Sequence, residues 1–350
     1  MERSLVKVEV NGVAYEVNRK MTVKEFLESI GYEFSDAPSH DKPAALCCTG
    51  GCYACSLMIS GQVKPACITM LEDGMKIDTD YSKVKPLRIV HGPQPHTVGG
   101  KATPWWYKRA GRYIEVAIWV AGCNLRCPQC QNFDVTYDRW SKPITPEEAA
   151  LKVSKARRIY GVDRMAISGG EPTLNRKWLI QFFKKLKELN PDDKARLHLD
   201  SNGTLLTEDY IDELVEVGVT DIGVEPKGLY VKTFMEITDI RNESLAKRYL
   251  ETSWRAIEYI CERHIDKVFL GVGLPYNSAF ITLDEVREFG EKLASINKSV
   301  QLCVLDYFPA YKRLDLVRPS PFEMLKVKRV LESTGLKNVI VQTSIGHIGP

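Results

Sequence analysis

No stretch of the chain approaches the ~18 consecutive apolar residues that a membrane-spanning helix needs. The longest candidate, Val116-Ala117-Ile118-Trp119-Val120-Ala121, reads as a buried strand. The start, Met1 to Lys7, alternates in charge and lacks the apolar core of an export signal. A cytoplasmic location is therefore the expectation. The net charge is only +3 on 350 residues, which gives no global case for nucleic acid. Neither nucleic acid nor a membrane is expected as a partner. There is no short internal repeat and no low-complexity tract. With 44% hydrophobic and 27% charged residues, ordinary globular domains remain. The length suits two of them, at ~100–200 residues each.

What the chain has in quantity is cysteine, ten in all. Eight crowd into two short segments or stand just beyond one of them. A disulfide framework fits such crowding poorly when no export signal is present. Dense cysteines in a reducing compartment more often hold metal.

Residues 1–90 read as a small β-rich domain. Ser4 to Val10 and Val13 to Val17 alternate around the turn pair Asn11-Gly12. Thr22 is placed to cap a helix from Val23 to Ile30 that ends at Gly31. A cysteine loop follows, and then a hairpin across Ser56 to Ile68. Two hairpins, one helix and a metal loop predict a β-grasp, ferredoxin-like α+β domain. Residues 91–104, with several Gly and Pro and little periodicity, read as a linker. Trp105-Trp106-Tyr107 fit equally well as a contact across the domain seam or as ordinary core aromatics. From Tyr113 on, strand and helix candidates alternate, which predicts parallel βαβ units. The strands are Ile114 to Val120, Arg164 to Ser168, Arg196 to Asp200, Asp221 to Val224, Lys267 to Gly271 and Ser299 to Leu305. About six units suit an α/β partial (β/α)6 barrel over residues 105–350. Sites in such barrels lie at the carboxyl ends of the strands.

Cys47, Cys52 and Cys55 stand in C-x4-C-x2-C spacing, with Cys67 eleven residues on. This is the plant-type [2Fe–2S] spacing. Two bridged irons need four thiolates, and a tight loop with Gly50 and Gly51 supplies three of them. Cys48 leaves the first ligand open between neighbours, and the spacing favours Cys47. Zinc is the alternative, although it prefers separated ligand pairs. The stretch from Cys47 to Met75, with Pro65-Ala66-Cys67-Ile68-Thr69 and Glu72-Asp73-Gly74-Met75, resembles the [2Fe–2S] domains of succinate dehydrogenase iron–sulfur subunits and of NADH or formate dehydrogenase subunits.

Cys123, Cys127 and Cys130 form C-x3-C-x2-C just past the first barrel strand. Three thiolates on a [4Fe–4S] cube leave one iron open, and an open coordination site marks a catalytic metal centre. Gly169-Gly170-Glu171-Pro172 follows the second strand and Asp200-Ser201-Asn202-Gly203 the third. On these three motifs the chain resembles the radical S-adenosylmethionine superfamily. The resemblance implies S-adenosylmethionine on the open iron and its reductive cleavage to a 5′-deoxyadenosyl radical, which takes hydrogen from an unidentified small-molecule or protein substrate. It also implies that the Gly-Gly-Glu-Pro turn receives the methionine amino group, with Glu171 able to pair with the ammonium. Asp200 and Asn202 would make further cofactor contacts. One departure is Gln129, where the superfamily usually has an aromatic residue near the adenine.

Gly122-Cys123-Asn124-Leu125-Arg126-Cys127-Pro128, Cys130-Gln131-Asn132 and Phe308-Pro309-Ala310-Tyr311-Lys312 look most like the pyruvate formate-lyase activating enzyme group, and closest to the AmmeMemoRadiSam-type proteins. Glu225-Pro226-Lys227 sits where activating enzymes carry a motif near the cofactor. Lys227 is thus a candidate catalytic residue and Glu225 a cofactor contact, with a surface ion pair as the equal alternative. Asp306-Tyr307-Phe308 replaces a histidine found in activases. The resemblance further implies an external electron donor such as ferredoxin or flavodoxin, with the [2Fe–2S] domain relaying electrons. A non-catalytic two-cluster carrier is the competing class. Cys261 and Cys303 read as buried free thiols, and His347 as a terminal residue.

Overall fold

The computed structural model describes residues 5–108 and 112–350. Ser4, the expected start of the first strand, lies outside the described residues.

The first domain is a five-stranded sheet in the order β2-β1-β5-β3-β4. Its strands are β1 (Leu5–Val10), β2 (Val13–Asn18), β3 (Ser56–Ile59), β4 (Gln62–Pro65) and β5 (Met75–Asp78). Asn11 and Gly12 take left-handed φ values of 49° and 86°, as a two-residue hairpin turn requires. Helix α1 (Val23–Ser29) starts in a capping box: Thr22 accepts from the Glu25 amide, and Glu25 accepts from the Thr22 amide. Its buried face, Val23, Phe26 and Leu27, packs on Val6, Val8, Leu57 and Ile59. The central pair β1 and β5 is parallel and its other neighbours are antiparallel, which is the expected β-grasp.

The second sheet has nine strands in the order β14-β13-β12-β11-β10-β9-β8-β7-β6. These are β6 (Val90–His96), β7 (Glu115–Val120), β8 (Arg164–Gly169), β9 (Arg196–Ser201), β10 (Asp221–Val224), β11 (Phe269–Tyr276), β12 (Gln301–Asp306), β13 (Asn338–Thr343) and β14 (Gly346–Ile348). Strands β7 to β13 are parallel, and β6 and β14 are antiparallel edges. The helices on the outside are the one-turn α2 (Phe133–Thr136), then α3 (Pro146–Tyr160), α4 (Arg176–Leu189), α5 (Glu208–Glu216), α6 (Val231–Thr238), α7 (Glu243–Arg263), α8 (Leu283–Asn297) and α9 (Pro321–Ser333). The partial barrel expected from the alternation is present, with a seventh parallel strand, β13, beyond the expected six.

The expected linker, residues 91–104, is a correction. Residues 91–96 belong to β6, which pairs with β7 across an irregular register between His91 and Gln94. Its Gly92, Pro93 and Pro95 hide the strand pattern, and an edge strand tolerates them because one side needs no partner. Residues 97–104 then fold into the amino-terminal mouth of the barrel. There the Lys101 and Thr103 carbonyls accept from Gln301 Nε2 at 2.8 and 2.9 Å. The Trp105-Trp106-Tyr107 turn lies at this same end, with Trp106 edge-on to Phe269 at 5.9 Å. These aromatics are half-exposed and pack on the barrel's own strand, not across the domain seam.

The two domains share a packed boundary. Ala44, Cys47, Cys52 and Ala54 belong to the barrel's apolar core, whereas Cys55 belongs to the core of the small domain. The cysteine loop is thus wedged between the two. Among the described residues, no helix is long and apolar enough to cross a membrane.

Candidate iron–sulfur and cofactor site

Four thiols of the first set converge. Cys47 Sγ lies 3.0 Å from Cys52 Sγ. Cys47 also contacts Cys67, and Cys67 contacts Cys55. The contacts run as a chain of pairs. Neighbouring thiols pull the Cys47 pKa down and push those of Cys52 and Cys67 up. Such sharing resolves when metal deprotonates all four. Cys48 takes a left-handed φ of 48° and turns its exposed thiol to the Ala45 carbonyl at 3.4 Å. The backbone thus separates two adjacent cysteines, and only Cys47 joins the set.

Cys123, Cys127 and Cys130 lie beyond the carboxyl end of β7. They line a cavity of about 180 Å3 together with Gly169, Gly170, Asp200, Asn202, Glu225 and Lys227. Burial pushes the Cys127 pKa up to about 11 and raises that of Cys123 too. Cys123 Sγ accepts from the Leu125 amide at 3.4 Å. An all-sulfur donor set with an amide on sulfur fits an iron–sulfur cluster.

The Gly-Gly-Glu-Pro turn comes against this loop by backbone. The Gly170 amide donates to the Val120 carbonyl at 2.8 Å, and the Glu171 amide to the Gly122 carbonyl at 2.7 Å. A Cβ on Gly170 would stand 2.1 Å from the Gly122 oxygen, and one on Gly169 2.2 Å from the Val120 nitrogen. Both glycines are required by this approach.

Glu171 is a correction. Its carboxylate is fully buried and accepts from the Thr173 amide at 3.0 Å, Thr173 Oγ1 at 2.6 Å, Ser201 Oγ at 2.8 Å and the Asn202 amide at 2.7 Å. Neither Glu171 nor Pro172 is on the cavity wall. Instead of facing an ammonium, the carboxylate ties the second strand's turn to the third strand's turn. Gln129 is also buried away from the cavity. It donates to the Phe308 carbonyl at 2.9 Å and fastens the cysteine loop to the segment after β12.

Glu225 and Lys227 are buried on the cavity wall, not paired at the surface. Lys227 Nζ donates to Glu225 Oε1 from a backbone with φ of 66°. Lys101, not anticipated, enters the same wall from the mouth of the barrel. Its Nζ lies 3.5 Å from Asp200 Oδ1 and 3.6 Å from Glu225 Oε2. Burial opposes charge on Asp200 and Glu225, yet Lys101 with His198 at Asp200, and Lys227 with Lys101 at Glu225, outweigh it and hold both carboxyls below their usual range. The absence of periodicity around Lys101 hid it. Tyr307 also lines the cavity, so the segment that replaces the activase histidine does reach the site. Asp306 instead pairs with Arg318 at 2.7 Å. His347 lies on β14, away from the cavity.

Beneath Asp200 the barrel is filled by ions. His198 Nδ1 is 3.3 Å from Glu115 Oε2, and its Nε2 is 3.3 Å from Asp200 Oδ1 without an aligned hydrogen bond. Burial opposes its protonation, but the two carboxylates prevail and push its pKa up to about 9. Arg164 pairs with Asp221 at 3.1 Å.

Comparison with known proteins bears on this site. A model described as the radical SAM superfamily matches residues 118–288, and one described as a 2Fe-2S iron-sulfur cluster binding domain matches residues 3–82. A GTP 3′,8-cyclase of Bradyrhizobium diazoefficiens is 31% identical over 260 residues, covering 69% of this chain and 70% of that protein. A probable GTP 3′,8-cyclase of Methanococcus aeolicus is 32% identical over 150 residues, 43% of this chain and 48% of that one. The chain spans between 40% and 60% of further relatives with these names. Among solved structures, the FeFe-hydrogenase maturase HydG of Carboxydothermus hydrogenoformans aligns with a TM-score of 0.48 at 18% identity, over 63% of this chain and 51% of that chain.

Two outcomes are expected. Gly170→Ala displaces the Gly122 carbonyl. It should abolish the spectral response to S-adenosylmethionine while leaving the visible absorption of the [2Fe–2S] group intact. His198 should stay protonated at neutral pH, and imidazole NMR should report titration near pH 9. Because its pKa is raised from 6.5 to about 9, its stabilising contribution is full below pH 6.5 and is lost as pH rises through 9. Urea unfolding between about pH 7 and 10 should therefore depend less steeply on pH in His198→Gln.

Proposed function

The chain belongs to the radical SAM superfamily, and on that premise we propose that it cleaves S-adenosylmethionine reductively at the cavity between Cys123, Cys127, Cys130 and the Gly169-Gly170 turn, with the [2Fe–2S] domain relaying the electron. It is an enzyme whose cofactors are a [4Fe–4S] cluster, S-adenosylmethionine and a [2Fe–2S] cluster. The observation that carries the proposal is the convergence of three thiols and the Gly-Gly turn on one cavity at the carboxyl ends of the strands. When bound, the cluster and S-adenosylmethionine supply an electron and a 5′-deoxyadenosyl radical that takes hydrogen from the substrate.

The chain's own residues have separable tasks. Cys123, Cys127 and Cys130 are the proposed thiolate ligands of the [4Fe–4S] cluster, and Cys47, Cys52, Cys55 and Cys67 those of the [2Fe–2S] cluster. The Gly169 and Gly170 backbone receives the amino group, since the Glu171 carboxylate is committed elsewhere. Asp200 accepts from cofactor hydroxyls and Asn202 makes a further cofactor contact, both at the end of the third strand. Lys227 and Glu225 keep a charged pair at the cavity wall and orient substrate or cofactor. An aromatic contact to adenine from position 129 is absent.

Support for the relay comes from Cys52 and Gly122. A Cβ on Gly122 would stand 2.6 Å from the Cys52 Cβ, so the loop of one thiol set touches the residue before the other. Arg126 joins them as well, donating to the Cys123 carbonyl at 2.7 Å and to the Cys47 carbonyl.

The substrate has two readings. A glycyl position of a protein partner follows from the activase likeness, but the named relatives are GTP 3′,8-cyclases. GTP is the second reading. It is favoured by 31% identity over 70% of one such relative.

Cys127→Ala should make no 5′-deoxyadenosine with dithionite as reductant; production equal to the wild type would refute the ligand set. Cys52→Ser, with the [4Fe–4S] cluster retained, should turn over with dithionite but fail with reduced ferredoxin or flavodoxin. Normal turnover there would remove the relay. Deuterium carried into 5′-deoxyadenosine from GTP or from a candidate peptide would decide the substrate.

A further inference from the structure

Arg88 lies on the stretch between the small domain and β6, and its side chain is wholly buried. Its guanidinium donates to three backbone carbonyls: Pro172 at 2.6 Å, Glu171 at 2.5 Å and Ala121 at 3.1 Å. Its Nε has no partner. The other deeply buried arginine, Arg164, is neutralised by Asp221 at 3.1 Å and faces Glu115 at 3.8 Å. Arg88 has only neutral oxygens in hydrogen-bond reach. A buried cation without a counter-charge is expensive, so the compensating anion is to be sought nearby.

The neighbours point to the first thiol set. The Ile89 amide donates to the Gly51 carbonyl at 3.2 Å, and the Ala121 amide to the Ile89 carbonyl at 3.1 Å. Asn175 Nδ2 bridges the Leu87 and Cys52 carbonyls at 3.2 and 3.0 Å. A Cβ on Gly51 would stand 2.5 Å from the Ala121 Cβ. Residues 87–89 are thus laced to residues 51–52 on one side and to Ala121 on the other. Burial lowers the Arg88 pKa, and the charges of Cys52, Glu171 and Cys47 oppose that shift. The Glu171 carboxylate is already held by four donors.

We propose that Arg88 is the buried counter-charge of the [2Fe–2S] cluster, a positioning residue that raises the cluster's reduction potential while clamping the Gly-Gly-Glu-Pro turn to the loop of the second cysteine set. It rests on the [2Fe–2S] assignment and not on the relay. A two-iron cluster held by four thiolates is an anion that gains one more negative charge on reduction. A fixed cation in a low-dielectric surround favours the more negative state. Its hydrogen bonds to Glu171, Pro172 and Ala121 keep the guanidinium from moving away.

The test is a redox titration of the full-length protein, followed by electron paramagnetic resonance of the reduced [2Fe–2S] cluster, for wild type, Arg88→Met and Arg88→Lys. The methionine variant should show a midpoint shifted to lower potential. The lysine variant keeps the charge and should stay near the wild-type value. An unchanged midpoint in Arg88→Met overturns the proposal and leaves Glu171 as the partner of Arg88. If the methionine variant does not assemble the cluster, Arg88→Gln, which removes the charge and keeps a donor to the carbonyls, decides: a lower midpoint sustains the proposal, and an unchanged one overturns it. Failure of the wild type to show any [2Fe–2S] signal would instead remove the cluster assignment itself.

Discussion

Gly122 is the point on which the site turns. Its carbonyl accepts the Glu171 amide, its amide donates to the Thr136 carbonyl at 2.9 Å, and its Cα faces Cys52. Three loops therefore meet on one residue that has no side chain: the loop after β7, the turn after β8 and the cysteine loop of the small domain. A methyl group at position 122 would collide with Cys52, and one at position 170 with Gly122. Close backbone approach is geometric and cannot be replaced by a longer side chain. It sets how near the two thiol sets lie and how the cofactor turn is held.

The second constraint is the charge inside the barrel. A (β/α) barrel is usually filled by branched apolar side chains. Here Glu115, Arg164, His198, Asp200 and Asp221 are buried inside it, and residues 97–104 close the mouth below them. Gly223 and Gly271 make room: a Cβ would stand 2.1 Å from Asp200 Oδ1 in one case and 2.1 Å from the Lys101 carbonyl in the other. The column positions Asp200, Glu225 and Lys101 at the cavity floor. Buried ion pairs of this kind add little stability against an apolar filling, so their value lies in fixing orientation.

The glycyl-activase likeness and the relatives' names diverge, and the cavity explains why motif residues alone do not separate them. On the proposed reading, the cysteine spacing and the Gly-Gly turn serve cofactor chemistry common to the superfamily. The rest of the wall, where Lys101, Lys227 and Tyr307 stand, lies outside those motifs. Two of these three come from segments with no periodic pattern, the barrel-mouth loop and the stretch after β12.

Local chemistry made much of the protein legible in its sequence. Asn11-Gly12 set a hairpin and Thr22 a helix start, while cysteine spacing grouped the thiols and the succession of strand and helix candidates placed β7 to β12. Each depends on residues a few positions apart, which covalent geometry and hydrogen bonding tie directly. The tertiary structure alone decided what depends on distant partners. It turned Cys48 away from the cluster, enclosed the Glu171 carboxylate in donors from another strand, and made an edge strand of a Gly- and Pro-rich stretch. It also carried Lys101 up into the cavity from the far end of the barrel. Burial and charge compensation are properties of the packed whole, and no window of sequence contains them.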